Sequence, residues 1–140
     1  MNPSPTKSFT RFFPAIARVL LGFVFFAGGL AYFLAPPSSE PMPEGATAFM
    51  GAMMKTGYLM RFLKITETLA GALLLLNRFV PLALAVLAPI IINIVAFIAF
   101  LMPSGPGLVI AVVLVALEVY LAWAYRQAFR PMLQWRTPPS

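Results

Sequence analysis

Arg61 to Leu82 reads RFLKITETLAGALLLLNRFVPL, and the fold follows from how its charges sit among its leucines. The run is apolar enough for a bilayer, yet Lys64 and Glu67 stand one helical turn apart. They share a helical face with Thr68, Gly71 and Leu75. An ionisable group at membrane depth costs roughly 3 kcal/mol unless it is paired, so this face must turn inward and find partners on other helices. Asn77-Arg78 then makes a tight polar turn, and Pro81 opens the next apolar run.

The rest of the chain supplies the same solvent argument. Of 140 residues, 61% are hydrophobic and 10% charged, with a mean hydropathy of +0.89. A soluble domain carries about 25% charged residues, so much of this surface must face lipid. The composition predicts a polytopic membrane protein with a single domain. Cysteine and histidine are both absent. That excludes disulfides, thiol redox chemistry, thiolate zinc sites, histidine-ligated haem and any Ser/His/Asp or Cys/His triad. No metal site and no covalently bound cofactor is expected. The net charge of +6 is read as membrane topology, with no nucleic-acid partner.

Moving outward from the central stretch, the expected fold is all-α, a four-helix transmembrane bundle with a short interfacial helix in the first extracytoplasmic loop. Residues 1–13 form a polar-basic cytoplasmic tail. The membrane domain covers 14–125, with spans near 14–34, 58–76, 79–101 and 108–125. Residues 126–140 form a second basic cytoplasmic tail. The first apolar run, Pro14 to Leu34, is longer than a signal-peptide core and no A-x-A-like site follows it, which predicts a retained span. Pro36 to Gly45 reads as a helix stop and linker. Residues 46–55 carry Phe49, Met50, Met53 and Met54 at i, i+1, i+4 and i+5, the pattern of an interfacial helix, with a loop as the alternative. Pro89 inside the third span predicts a kink, because it denies the Ala85 carbonyl a donor. Pro103 to Gly107 reads as a turn.

Four spans place both termini on one side. Lys7, Arg11, Arg18, Arg78, Arg126, Arg130 and Arg136 fall on that side, against Lys55 and Arg61 on the other, where Glu40 and Glu44 offset them. The positive-inside rule then predicts both termini in the cytoplasm.

Counting depth from the cytoplasmic ends brings the charges within the spans to similar levels. Glu67 lies about 13 Å in, Glu118 about 10 Å and Arg18 about 6 Å, with Lys64 and Asn93 roughly one turn deeper than Glu67. Glycines or alanines share the faces of Arg18, Glu67 and Glu118, which suits close helix packing. The candidate site is therefore a buried polar cluster of Arg18, Lys64, Glu67, Asn93 and Glu118, with no residue assigned as catalytic. Two readings stand side by side. In one, the charges lock the helices together. In the other, two carboxylates beside a lysine line a pocket for a quinone or a polar lipid head, with Glu67 and Glu118 handling protons and Arg18 and Lys64 holding the quinone's oxygens. The aromatic stripe Phe23, Phe25, Phe26, Tyr32 and Phe33 is either a slot for the ring or ordinary packing and lipid contact. The basic tail, with Phe129 and Trp135 interleaved, reads as anionic-lipid contact.

Three stretches, RVLLGFVFFAGGLAYF (18–33), KITETLAGALLLLNRFVPLAL (64–84) and LAPIIINIVAF (87–97), resemble the DoxX family of small four-helix bacterial membrane proteins. Arg18, Gly22, Glu67, Gly71, Arg78 and Pro81 carry the likeness. The resemblance implies an accessory or structural subunit of a membrane redox complex, as in thiosulfate:quinone oxidoreductase, rather than an enzyme on its own. It also implies quinone as a possible ligand and a redox subunit or a second copy as partner. The chain departs from the family pattern in two places. Ala31-Tyr32 stands where relatives commonly carry a lysine, and Phe97-Ile98 where they often carry Phe-His. A small transport or lipid-binding protein is the remaining alternative. It is disfavoured because four short helices without inverted repeats leave little room for alternating access.

Overall fold

The computed structural model describes residues 11–35 and 40–140. Most of the predicted N-terminal tail and residues 36–39 of the predicted linker lie outside these. Among the described residues the chain is all helical, with six α-helices, one 3₁₀ turn and no strand. The helices are α1 (Phe12–Leu34), α2 (Glu44–Lys55), α3 (Leu59–Leu75), α4 (Val80–Leu101), α5 (Gly105–Ala124) and α6 (Arg126–Phe129). Three of them, α1, α4 and α5, are long and apolar enough to cross a membrane. At 17 residues, α3 covers about 26 Å at helical rise, against a hydrocarbon core of about 30 Å.

Each boundary has a local cause. Pro14 sits in the first turn of α1, where its missing N–H is no loss. Glu44 opens α2 and Lys55 closes it, matching the helix dipole. Thr56 and Gly57 do double duty. Gly57 adopts φ +80° and donates its N–H to the Met54 carbonyl at 3.1 Å, while the Thr56 hydroxyl accepts from the Leu59 N–H at 3.0 Å and so starts α3. At the other end of α3, Arg78 N–H donates to Leu73 O (2.9 Å) and Asn77 N–H to Leu74 O (3.3 Å). This is a Schellman closure with Asn77 left-handed at φ 55°.

The fourth long helix starts earlier than its expected start near residue 108. Ser104 accepts from the Gly107 N–H at 3.1 Å, so Gly105 and Pro106 are the first turn of α5 rather than part of a loop. The C-terminal tail is likewise not wholly irregular. It forms α6 and a 3₁₀ turn over Arg130–Leu133, and Phe129 packs against the core. Through Pro89, α4 runs as one helix from Val80 to Leu101.

The long helices share one core, in which Leu21, Leu74, Leu84, Leu87 and Leu121 are fully enclosed. The most extensive contact joins α1 to α3. Here the two backbones nearly touch. A methyl group on Gly71 would lie 2.7 Å from the Gly22 carbonyl oxygen, and one on Gly22 would lie 2.9 Å from Leu74 Cβ. Farther along α1, Gly29 faces Lys64 and Thr68. Advancing along α1 thus means retreating along α3, so the pair is antiparallel. The short helix α2 packs against α3 and α4.

Candidate functional site

The seam between α1 and α3 fixes where each polar side chain of α3 points. Lys64 Nζ donates to Glu67 Oε2 at 3.0 Å, an i,i+3 pair on one helix. The two ends of this pair differ in setting: the Glu67 side chain is 6% exposed and that of Lys64 24%. Thr68 takes no part in the pair, because its hydroxyl donates back to the Lys64 carbonyl at 2.7 Å. Lysine carries three donors, so the ammonium has capacity beyond Glu67.

The pair lines a cavity of about 250 Å³ to which five helices contribute. Phe25 and Gly28 come from α1, Phe49, Met50 and Met53 from α2, Leu63 with the ion pair from α3, Asn93 and Phe97 from α4, and Leu114 from α5. Polar surface is confined to a few groups in an otherwise apolar wall, the usual composition of a small-molecule site. Asn93 is exposed, and none of the side-chain hydrogen bonds among the described residues uses its amide. The Phe49 and Phe97 rings meet at 5.6 Å between centroids and join α2 to α4 over the cavity.

The five residues of the expected cluster therefore divide. Lys64, Glu67 and Asn93 share the cavity; Arg18 and Glu118 are not among its lining residues. Arg18 Nη1 donates instead to the Leu74 carbonyl, with Leu75 O at 3.5 Å. Its cation thus meets the negative end of the α3 dipole, adding a second donor to the Leu74 carbonyl that already accepts from the Asn77 N–H. Glu118 is 9% exposed within the core face of α5, and its Oε2 is buried without a hydrogen-bond partner. Of the aromatic stripe on α1, Phe25 is buried and reaches the cavity. Phe23, Tyr32 and Phe33 face outward.

Sequence reasoning missed two parts of the site. The apolar face of α2 was visible in its periodicity and a place across the bundle mouth was expected, but its part in the wall beside Lys64 was not. The capping role of Arg18 had a signal, since its depth of about 6 Å by helical rise matches the last turn of α3.

The model of the family described as DoxX matches residues 13–102, well over half of the chain. The chain belongs to the DoxX family. No curated protein and no solved structure matches it. The DoxX match takes in α1 to α4 and every residue named above as lining the cavity except Leu114, while α5 with Glu118 falls outside it. As a DoxX protein with three strongly apolar helices, the chain is a membrane protein whose outer surface contacts lipid.

Proposed function

We propose that this DoxX protein is an inner-membrane accessory subunit that holds a quinone-class head group in the cavity beside Lys64 and Glu67. In this reading α1, α3, α4 and α5 form a four-helix transmembrane bundle, α2 lies across its outer mouth, and both termini are cytoplasmic. The charge of α3 is accommodated because Lys64 and Glu67 pair and face inward. Antiparallel packing of α1 and α3, and the clustering of Arg18, Arg78, Arg126, Arg130 and Arg136 at one end, support that topology.

The observation that carries the functional reading is a cation with spare donors in an apolar cavity of about 250 Å³. That volume lies below the 300–1,000 Å³ or so of sites for drug-sized ligands, so it takes one ring rather than an extended molecule. A quinone carbonyl needs donors, which Lys64 Nζ and the Asn93 amide supply. Its ring needs flat apolar walls, which Phe25, Phe49 and Phe97 supply. Bound there, a quinone would supply two-electron, two-proton redox chemistry. Glu67 is the carboxyl group in the cavity able to hold a proton. Because the chain has no cysteine or histidine, the electrons are assigned to a partner subunit. The alternative of charges that only lock helices is favoured by Arg18, whose bonds run to backbone carbonyls.

A thermal-shift titration with a short-chain ubiquinone or menaquinone separates the two. A ligand that binds only the folded state raises apparent stability with occupancy, by about 2.7 kcal/mol at 100 times its Kd. Wild type should show saturable stabilisation. Glu67→Gln and the charge swap Lys64→Glu/Glu67→Lys should both lose it. The swap retains an ion pair, so it should melt near wild type and remove misfolding as an explanation. No shift in wild type would sink the quinone reading.

A further inference from the structure

We propose that the ligand of this cavity is a tailed lipid-soluble molecule that comes and goes sideways, between α3 and α4, with its tail held in an apolar groove on that side of the protein. The inference rests on the head-group reading above and adds the route and the shape of the ligand.

Outside the ion-pair cavity lies a second, larger hollow of about 630 Å³, walled by α3 on one side and α4 on the other. Leu59, Phe62 and Thr66 form one flank, and Val86, Pro89 and Ile90 the other. The two hollows are neighbours with a shared wall, since Phe49, Met53, Leu63 and Asn93 line both. Their chemistry differs. The inner one holds the ion pair, whereas the outer one has Asn93 and Thr66 as its only polar side chains. Thr66 is already satisfied, donating to the Phe62 carbonyl at 2.8 Å. Its hydroxyl therefore asks nothing of a ligand.

Asn93 sits on the boundary. It is exposed in the middle of a helix whose composition suits lipid, and its amide is unused among the described residues. A free amide at that depth is costly unless something hydrogen-bonds it. A ligand whose polar head lies at Lys64 and whose tail leaves through the groove passes directly over it.

Among the described residues α2 covers the cavity with Phe49, Met50 and Met53, the Phe49–Phe97 contact ties it to α4, and Ala46 is fully buried. In the proposed topology the groove between α3 and α4 faces the acyl chains. Lipid tails are as apolar as the groove, so the groove adds little hydrophobic energy to a ligand already in the bilayer. Its role is steric, letting the tail remain in lipid while the head reaches the ion pair.

That distinction sets the test. Tail-less and decyl-tailed forms of one benzoquinone would be titrated against protein in nanodiscs, with thermal stabilisation as the readout. The proteins would be wild type, Val86→Trp, Thr66→Trp and, as a control on the lipid-facing side of α4, Ile92→Trp. Wild type and Ile92→Trp should bind both forms. Each groove-filling variant should weaken the tailed form by about tenfold or more and leave the tail-less form within about twofold, because only the tail meets the new indole. Two variants on opposite flanks guard against one of them failing to fold. Equal effects on both ligands would overturn the tail route and leave the head-group site standing. Wild type that binds neither would overturn both.

Discussion

The two halves of α3 handle polar groups in opposite ways. At its C-terminal end Leu74 is fully enclosed, the helix ends in a Schellman turn, and Arg18 Nη1 donates to backbone carbonyls. Toward its N-terminal end Lys64 and Glu67 pair with each other, beside a cavity and an Asn93 amide unused among the described residues. Both halves bring charge into an apolar setting. The difference lies in the surroundings: Arg18 donates to main-chain carbonyls away from the cavity, whereas the Lys64–Glu67 pair lines the cavity wall. A cation that donates to main-chain carbonyls reinforces a helix end, whereas the Lys64 ammonium keeps N–H donors beside a cavity.

The largest expected effect breaks the seam on which both halves depend. In Gly71→Ala the added methyl meets the Phe26 backbone and the Gly22 carbonyl. Overpacking of this kind costs about 1–3 kcal/mol, and a backbone-to-backbone contact leaves little room to yield, so a loss near the upper figure is expected. Gly28→Ala is the matched control on α1, since nothing lies within 4 Å of its new methyl. Chemical denaturation in mixed micelles compares the two directly. Equal losses would mean that α1 and α3 are not packed as described.

The comparison sharpens with Arg18→Met, which keeps the apolar stem and removes the cap. About 2 kcal/mol of stability should go with it, the contribution of a charged hydrogen bond at the helix end. Quinone binding should be untouched, because Arg18 is absent from the cavity wall. A melt unchanged by Arg18→Met but a lost ligand response would transfer Arg18 to the site and erase the contrast between the two ends.

Much of this was legible in the sequence, and the limit falls at a definite place. Helix positions were readable because Pro, Gly and Asn punctuate apolar runs, and the face of Lys64, Glu67 and Gly71 was readable because helical periodicity is local. Depth counting put Lys64, Glu67 and Asn93 on neighbouring levels, and they share one cavity. The same counting put Arg18 and Glu118 with them. Depth is one coordinate; rotation about the axis and the choice of neighbour are set by packing, and here the glycine seam aims Arg18 along α3 to its terminus. The start of α5 was missed for a more local reason. Ser104-Gly105-Pro106-Gly107 has the composition of a turn and the geometry of a capped first turn, and the Ser104 side-chain bond decides between them.

The smallest expected effect concerns the one buried polar group that fits neither half. Glu118 lies on the α5 face that includes Leu114 and Leu121, and its Oε2 is buried without a partner. An unsatisfied buried polar atom is a cost carried by the folded state. Replacing both the group and its need with an apolar side chain of similar size should therefore remove that cost. Glu118→Leu is expected to leave the isolated protein as stable as wild type or to raise its stability by about 1 kcal/mol, with quinone-induced stabilisation intact because Glu118 is not in the cavity wall. The measurement is a denaturation midpoint with and without ligand. A gain would mark Glu118 as a group retained at some expense to the isolated fold, on a helix that lies outside the DoxX match. A loss above about 1 kcal/mol would mean that the carboxyl finds a partner in the folded protein. The core would then hold a satisfied carboxylate away from the cavity, and the contrast between the two ends of α3 would narrow to the cavity alone.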